Sequence, residues 1–200
     1  MREHEIAYWQ EQIATAMEVT ALLPKSDGIE LGQSVPGSRV LITQQLLDAS
    51  RMLRYIPRLP VQNANWLHFA YGAEFDQLAH QSLTTYLFEL ESSDLQLHDR
   101  SRAILYQLAG TALLHERLAR QPGPSTIAIT PGSLALMCGS LNPTPESWRK
   151  SRWAPRWRSL LERANVLDRH SIEELVQLRA LIRQYQEINT TCQSNPSSRH

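Results

Sequence analysis

Eighteen consecutive residues, Glu146 to Arg163 (ESWRKSRWAPRWRSLLER), hold three of the chain's five tryptophans and six basic side chains against two acids. Guanidinium forks and an ammonium at this density suit phosphate oxygens, which accept the charge-assisted hydrogen bonds these groups donate. On that reading Ser147, Arg149, Lys150 and Arg152, with Glu146, face base edges and phosphates of duplex DNA, and Arg156 and Arg158 add phosphate contacts. Trp148, Trp153 and Trp157 recur at intervals of five and four residues. A second reading therefore stands beside the first, in which the indoles plug a helical core beneath a solvated arginine face.

A reader of DNA needs an element that carries it into a groove. Upstream lies Pro131 to Leu141, PGSLALMCGSL, an apolar helix signal, followed by the breaker Asn142-Pro143-Thr144-Pro145. This order predicts helix, turn, helix. Counting from Pro131, Ala135 takes the fifth position, where two such helices touch, and Gly139 the ninth, in the turn; Leu134, Cys138 and Trp148 fall at apolar positions. Ser140 and Pro145 stand where apolar residues are usual, although Pro145 suits the first residue of a helix capped by Thr144.

The helix signal at Ala103 to Leu118, the Pro-led Pro131 to Met137, the turn Leu141-Asn142-Pro143 and Trp148-Arg149-Lys150 occur in the order seen in one known group. In these pieces the stretch Arg102 to Leu175 resembles the C-terminal part of lambdoid phage late-gene antitermination proteins. Several of those proteins carry a cysteine-rich zinc insertion before the Pro-led helix, and this chain has no such cysteines. The resemblance implies a phage regulator whose helical body touches RNA polymerase.

The rest of the chain supplies that body. His4 to Leu23 predicts a helix through Ile6, Trp9, Ile13 and Met17, stopped by Pro24. Pro24 to Ser38 reads as a loop, Ser38 to Tyr55 as a helix, Asn65 to Leu90 as one long helix burying Trp66, Phe69, Leu83 and Leu87, and Ser101 to Arg120 as another. A capping box, Ser171-Ile172-Glu173-Glu174, predicts the start of a last helix running to about Asn189. Gln121 to Pro131, QPGPSTIAITP, predicts a boundary, with a short strand signal at Ile127-Ala128-Ile129. The expected fold is mainly α. A multi-helix body over residues 1–120 serves dimerisation or contact with another protein, a basic, tryptophan-rich, helix-turn-helix-like module covers 121–189, and a disordered tail covers 190–200.

The formal charge is zero, yet residues 1–100 carry 7 Lys+Arg against 13 Asp+Glu and residues 101–200 carry 13 against 7, balances of −6 and +6. A polyanionic partner is compatible with such a chain, because the local field steers binding. Cys138 and Cys192 suggest neither a disulfide framework nor a zinc cluster. The N-terminus lacks an apolar signal core and no run of about 18 apolar residues occurs, so a cytoplasmic protein without membrane contact is expected. Asp76 and His80, with Glu74 and His68 nearby, make half a metal site, and His115-Glu116 lacks the Glu-x-x-His pairs of a carboxylate bundle. No phosphate loop, nucleophile elbow or His-Glu-x-x-His occurs, so neither enzyme activity nor a cofactor or metal is expected. The expected function is a DNA-binding transcription regulator of phage or mobile-element type. The alternative is an all-helical adaptor or inhibitor that binds another protein through its tryptophan and arginine surface, since these residues dominate protein-binding hot spots.

Overall fold

The computed structural model describes residues 1–22, 51–121 and 129–193. Every element among them is helical: α1 (Glu3–Leu22), a 3-10 turn (Ile56–Arg58), α2 (Val61–Tyr71), α3 (Gln77–Ser92), α4 (Asp99–Arg120), α5 (Pro131–Met137), α6 (Pro145–Lys150) and α7 (Trp153–Gln193). The mainly α expectation holds. The loop expected at Pro24 to Ser38 and most of the helix expected at Ser38 to Tyr55 lie outside the described residues, as do Ile127 and Ala128 of the strand signal. Residues 51–53, at the end of that expected helix, are helical.

The chain divides into two compact units, Met1–Leu59 with Ile172–His200, and Pro60–Ser171. In the first, Ile13 and Ala16 of α1, Met52, Ile56, and Ile172 and Leu175 of α7 are buried. The Met1 ammonium pairs with Glu173 at 3.0 Å, and the Arg179 guanidinium lies 5.2 Å from the centre of the Trp9 ring. In the second, α2, α3 and α4 pack on one another and α5 packs on α6. Its core holds Trp66, Phe69, Leu83, Leu87, Leu105, Leu108, Leu113 and Leu160, all closed to solvent. Gly110 lets α4 approach α3 closely, since a Cβ there would meet Thr84 Oγ1 at 3.2 Å.

The stretch Asn65 to Leu90, expected as one helix, is two. Gly72 ends α2 in an extended conformation (φ −66°, ψ 141°), where a Cβ would stand 2.3 Å from the His68 carbonyl oxygen. Asp76 caps α3, its carboxylate accepting from the Ala79 N–H at 2.9 Å. The break frees carbonyls at the end of α2, and buried Arg117 of α4 takes them up. Its guanidinium donates to the carbonyls of Phe69, Gly72 (3.0 Å), Ala73 (3.4 Å) and Glu74 (3.2 Å), and lies over the rings of Phe69 and Phe75. The charge sits at the negative end of the α2 dipole, which offsets its removal from water. Burial lowers the Arg117 pKa from its usual value.

The expected helix start at Ser171 is also corrected, because α7 already begins at Trp153. Ser171 is fully buried and its hydroxyl donates to the Leu167 carbonyl at 2.7 Å, the backward bond a serine makes inside a helix. The helix expected to end near Asn189 continues to Gln193.

Candidate nucleic-acid interface

The two short helices start in the same way. In α5 the Thr130 hydroxyl accepts from the Ser133 N–H (3.2 Å) and the Ser133 hydroxyl accepts from the Thr130 N–H (3.0 Å); in α6 Thr144 and Ser147 repeat this at 3.1 and 3.0 Å. Each is a capping box with serine at its third helical position, and each has proline first, where no N–H is needed. Between them, in the turn where its spacing put it, Gly139 adopts φ 82°, a left-handed conformation that favours glycine. Leu134, Ala135 and Trp148 are buried where α5 and α6 meet. Cys138 is half-buried, and burial pushes its thiol up to about 11, a protonated, unreactive state at neutral pH.

The helix expected to start at Pro145 and to carry Glu146, Ser147, Arg149, Lys150 and Arg152 stops short of Arg152. Six-residue α6 ends at Lys150, Ser151 is extended (ψ 149°), and α7 starts at Trp153. Pro155 supplies the reason. In an uninterrupted helix its ring would strike the Ser151 carbonyl, whereas in the first turn of a new helix it is tolerated. The basic residues are thereby divided between two helices.

Ser147 is committed to its cap and half-buried. Arg149 and Arg158 are exposed, without a hydrogen bond or ion pair among the described residues. Lys150 meets Glu146 at 2.7 Å, a solvent-exposed pair of little consequence for stability. Arg152 donates to Ser101 Oγ at 2.9 Å and stacks 4.8 Å from the centre of the Trp153 ring. Arg156 is partly neutralised by Glu91, a buried acid at the end of α3: Arg156 Nη1 donates to Oε1 (3.0 Å), while Ser159 Oγ (2.7 Å) and Arg163 Nε (2.9 Å) donate to Oε2. Burial alone would raise the Glu91 pKa; the hydrogen bonds from Ser159, Arg156 and Arg163 outweigh it and hold the carboxyl below its ordinary value. Trp148, Trp153 and Trp157 are 6–8% exposed, so the indoles are core beneath the arginines, as the second reading had it.

Two further arginines come to this surface from α4. Ser101, which binds Arg152, stands between Arg100 and Arg102, both exposed. Arg100 Nη2 lies 3.2 Å from where a Cβ on Gly139 would stand, and the Arg102 guanidinium is 5.5 Å from the centre of the Phe88 ring. More than forty residues separate them from Arg149 in sequence. The available signal was their position, since basic residues in the first turn of a helix oppose its dipole.

A second charged cluster is structural. Buried Asp168 accepts from Trp66 Nε1 (2.7 Å) and the Tyr71 hydroxyl (2.8 Å), and pairs with Arg120 Nη2 at 3.3 Å. Arg120 Nη1 also meets Glu116 at 2.6 Å. Burial and the Asp168 carboxylate push the Tyr71 pKa up, keeping the phenol a donor. Of the residues weighed as metal ligands, Glu116 is thus engaged by Arg120, Asp76 caps α3, and His80 Nε2 donates to the Gly110 carbonyl at 3.0 Å.

The family model for phage antitermination protein Q matches residues 24–194. The chain belongs to that family, a class of phage regulators that act on transcription. The match extends the resemblance seen in Arg102 to Leu175 over most of the chain. Neither curated proteins nor solved structures gave a match. Among the described residues no helix is long and apolar enough to cross a membrane.

Proposed function

We propose that this chain regulates transcription by binding duplex DNA through the surface of α6, the first turns of α7 and the start of α4, while another part of it contacts RNA polymerase. The observation that carries the proposal is the pair Arg149 and Arg158, exposed and without a hydrogen bond or ion pair among the described residues; Lys150 and Arg152 neighbour Arg149 in sequence, and Arg100 and Arg102 flank the Ser101 that holds Arg152. Among the described residues no acid pairs with either arginine. Membership of an antitermination family supports the transcriptional context. Because the guanidiniums arise from three helices, phosphate anchoring dominates, and base contacts fall to Arg149 and Lys150 at the end of α6.

The test is retention and enrichment of random duplex DNA at low and moderate salt. Replacing Arg149 and Arg158 by Ala should weaken retention and reduce the salt slope by about 0.9 for each phosphate no longer engaged, with the melting temperature unchanged. Unchanged retention in that variant, or none by the wild type at low salt, refutes the proposal. The adaptor reading is favoured by one observation, the exposed Leu136 on α5 and Leu141 between α5 and α6. It predicts binding to a protein partner that changes little with salt.

A further inference from the structure

The turn between α5 and α6 holds a leucine entirely in solvent: Leu141 is 103% exposed. The backbone on either side of it is fixed. Upstream, α5 ends in a Schellman motif, in which the Gly139 N–H donates to the Leu136 carbonyl and the Ser140 N–H to the Ala135 carbonyl, each at 2.9 Å. Downstream, the Asn142 carbonyl accepts from the Thr144 N–H at 2.9 Å and from the Ser140 hydroxyl at 3.1 Å, a bond that spans Leu141. Pro143 has a fixed φ and restricts Asn142 before it, and its carbonyl oxygen lies so near the start of α5 that a Cβ on Gly132 would meet it at 3.2 Å. Single exposed leucines are ordinary on a protein surface. This one stands on a turn tied at both ends, so it has little backbone freedom left to lose when a partner takes it up.

We propose that Leu141 is a wedge that enters between two base steps of bound duplex DNA and kinks it, an inference that rests on the DNA reading above. Arg100 favours DNA as the occupant: its Nη2 lies 3.2 Å from where a Cβ on Gly139 would stand, so a cation suited to phosphate sits at the same turn. Leucine is among the side chains that DNA-bending proteins insert between steps, and it is under-represented in protein-binding hot spots. Unstacking a step costs free energy that phosphate contacts must offset. Arg100 beside the turn and Arg149 on α6, the helix that follows it, are exposed and supply such contacts. The site chosen is then set partly by deformability, so pyrimidine–purine steps, which kink most readily, are preferred at the wedge without a hydrogen bond to their bases.

The experiment compares binding of the full chain to a fully paired duplex and to the same duplex with a central unpaired bulge. Wild-type protein should prefer the bulged duplex by about tenfold or more, because there the stack is already broken and the kink costs less. Leu141→Ser should cut the preference to about twofold or less while keeping the wild-type melting temperature, since the side chain it removes touches solvent alone, and Leu141→Met should restore the preference. Equal binding of both duplexes by the wild type would overturn the wedge. So would a preference that survives Leu141→Ser, which leaves the leucine to a protein partner. The two readings fail differently: retention of neither duplex at low salt refutes the DNA surface and the wedge with it, whereas retention without preference refutes the wedge alone.

Discussion

Replacing Glu91 by Ala should weaken the fold and strengthen non-specific DNA binding, two effects of opposite sign from one deletion. The Glu91 carboxylate is 1% exposed and accepts three hydrogen bonds, from Arg156, Ser159 and Arg163. The two arginine side chains are 41% and 40% exposed, so solvent screens them, and each bond is worth about 0.5–1 kcal/mol. The Ser159 bond, neutral donor to buried anion, adds about 1.5 kcal/mol. Removing an acid from the last turn of α3 returns a few tenths of a kcal/mol through the helix dipole. The net expected loss is about 2–3 kcal/mol, or about 6–12 °C in melting temperature for a unit of this size. The same change frees two guanidiniums on the flank of the basic surface. Each one that reaches a phosphate steepens the salt dependence of duplex retention by about 0.9.

The pH dependence follows from the direction of the Glu91 shift. Its folded pKa lies below the ordinary value, so its contribution is fully present above the unfolded pKa of about 4.3 and is lost as pH falls through the lower folded value. Circular dichroism melts of wild type and variant should therefore differ at pH 7 and converge in the acid range. A melting temperature within a degree of wild type at pH 7 would refute the account of Glu91 as an anchor. So would a difference that grows on acidification.

Arg117→Met keeps volume but abandons the carbonyls at the end of α2; a loss of about 3–5 kcal/mol is expected from chemical unfolding, and a change under about 1 kcal/mol would show that water replaces the guanidinium. Gly139→Ala forces a Cβ onto a residue at φ 82° and should cost about 1–2 kcal/mol in the same assay. Trp148→Ala should cost about 3–5 kcal/mol, measured against the near-zero cost of Arg149→Ala next to it. Equal losses for Trp148→Ala and Arg149→Ala would mean that Trp148 is not the buried member of the pair.

Much of this was legible in the sequence, because local rules governed it. Thr144 with Pro145, Gly139 in the turn, and the apolar positions Leu134, Ala135 and Trp148 all stand as their spacing predicts. The breaks were written there too, though in residues open to other meanings. Asp76 was weighed as a metal ligand when its place before an apolar run made it a cap, and Gly72 and Pro155 were the breakers that divide the expected helices. Ser171 misled because a capping-box pattern also occurs inside a helix when the hydroxyl bonds backward. Long-range pairings left no local trace. Nothing near Glu91 in sequence announces Arg156 and Arg163, and nothing near Arg152 announces Ser101.

The tether on Arg152 sets it apart from its exposed neighbours in when it gives up conformational freedom. An arginine loses rotamer entropy when a partner immobilises it, about 0.5–1.5 kcal/mol at an interface. In the proposed duplex complex Arg149 and Arg158 would carry that cost at the moment of binding, because no bond holds them among the described residues. Arg152 has already met part of it in folding, stacked on a buried indole and bonded to Ser101. Its guanidinium edge is preorganised, so a phosphate arriving there gains more net free energy than one caught by a free side chain. The register of a bound duplex would then be set by this least mobile arginine, with the freer ones adjusting to it.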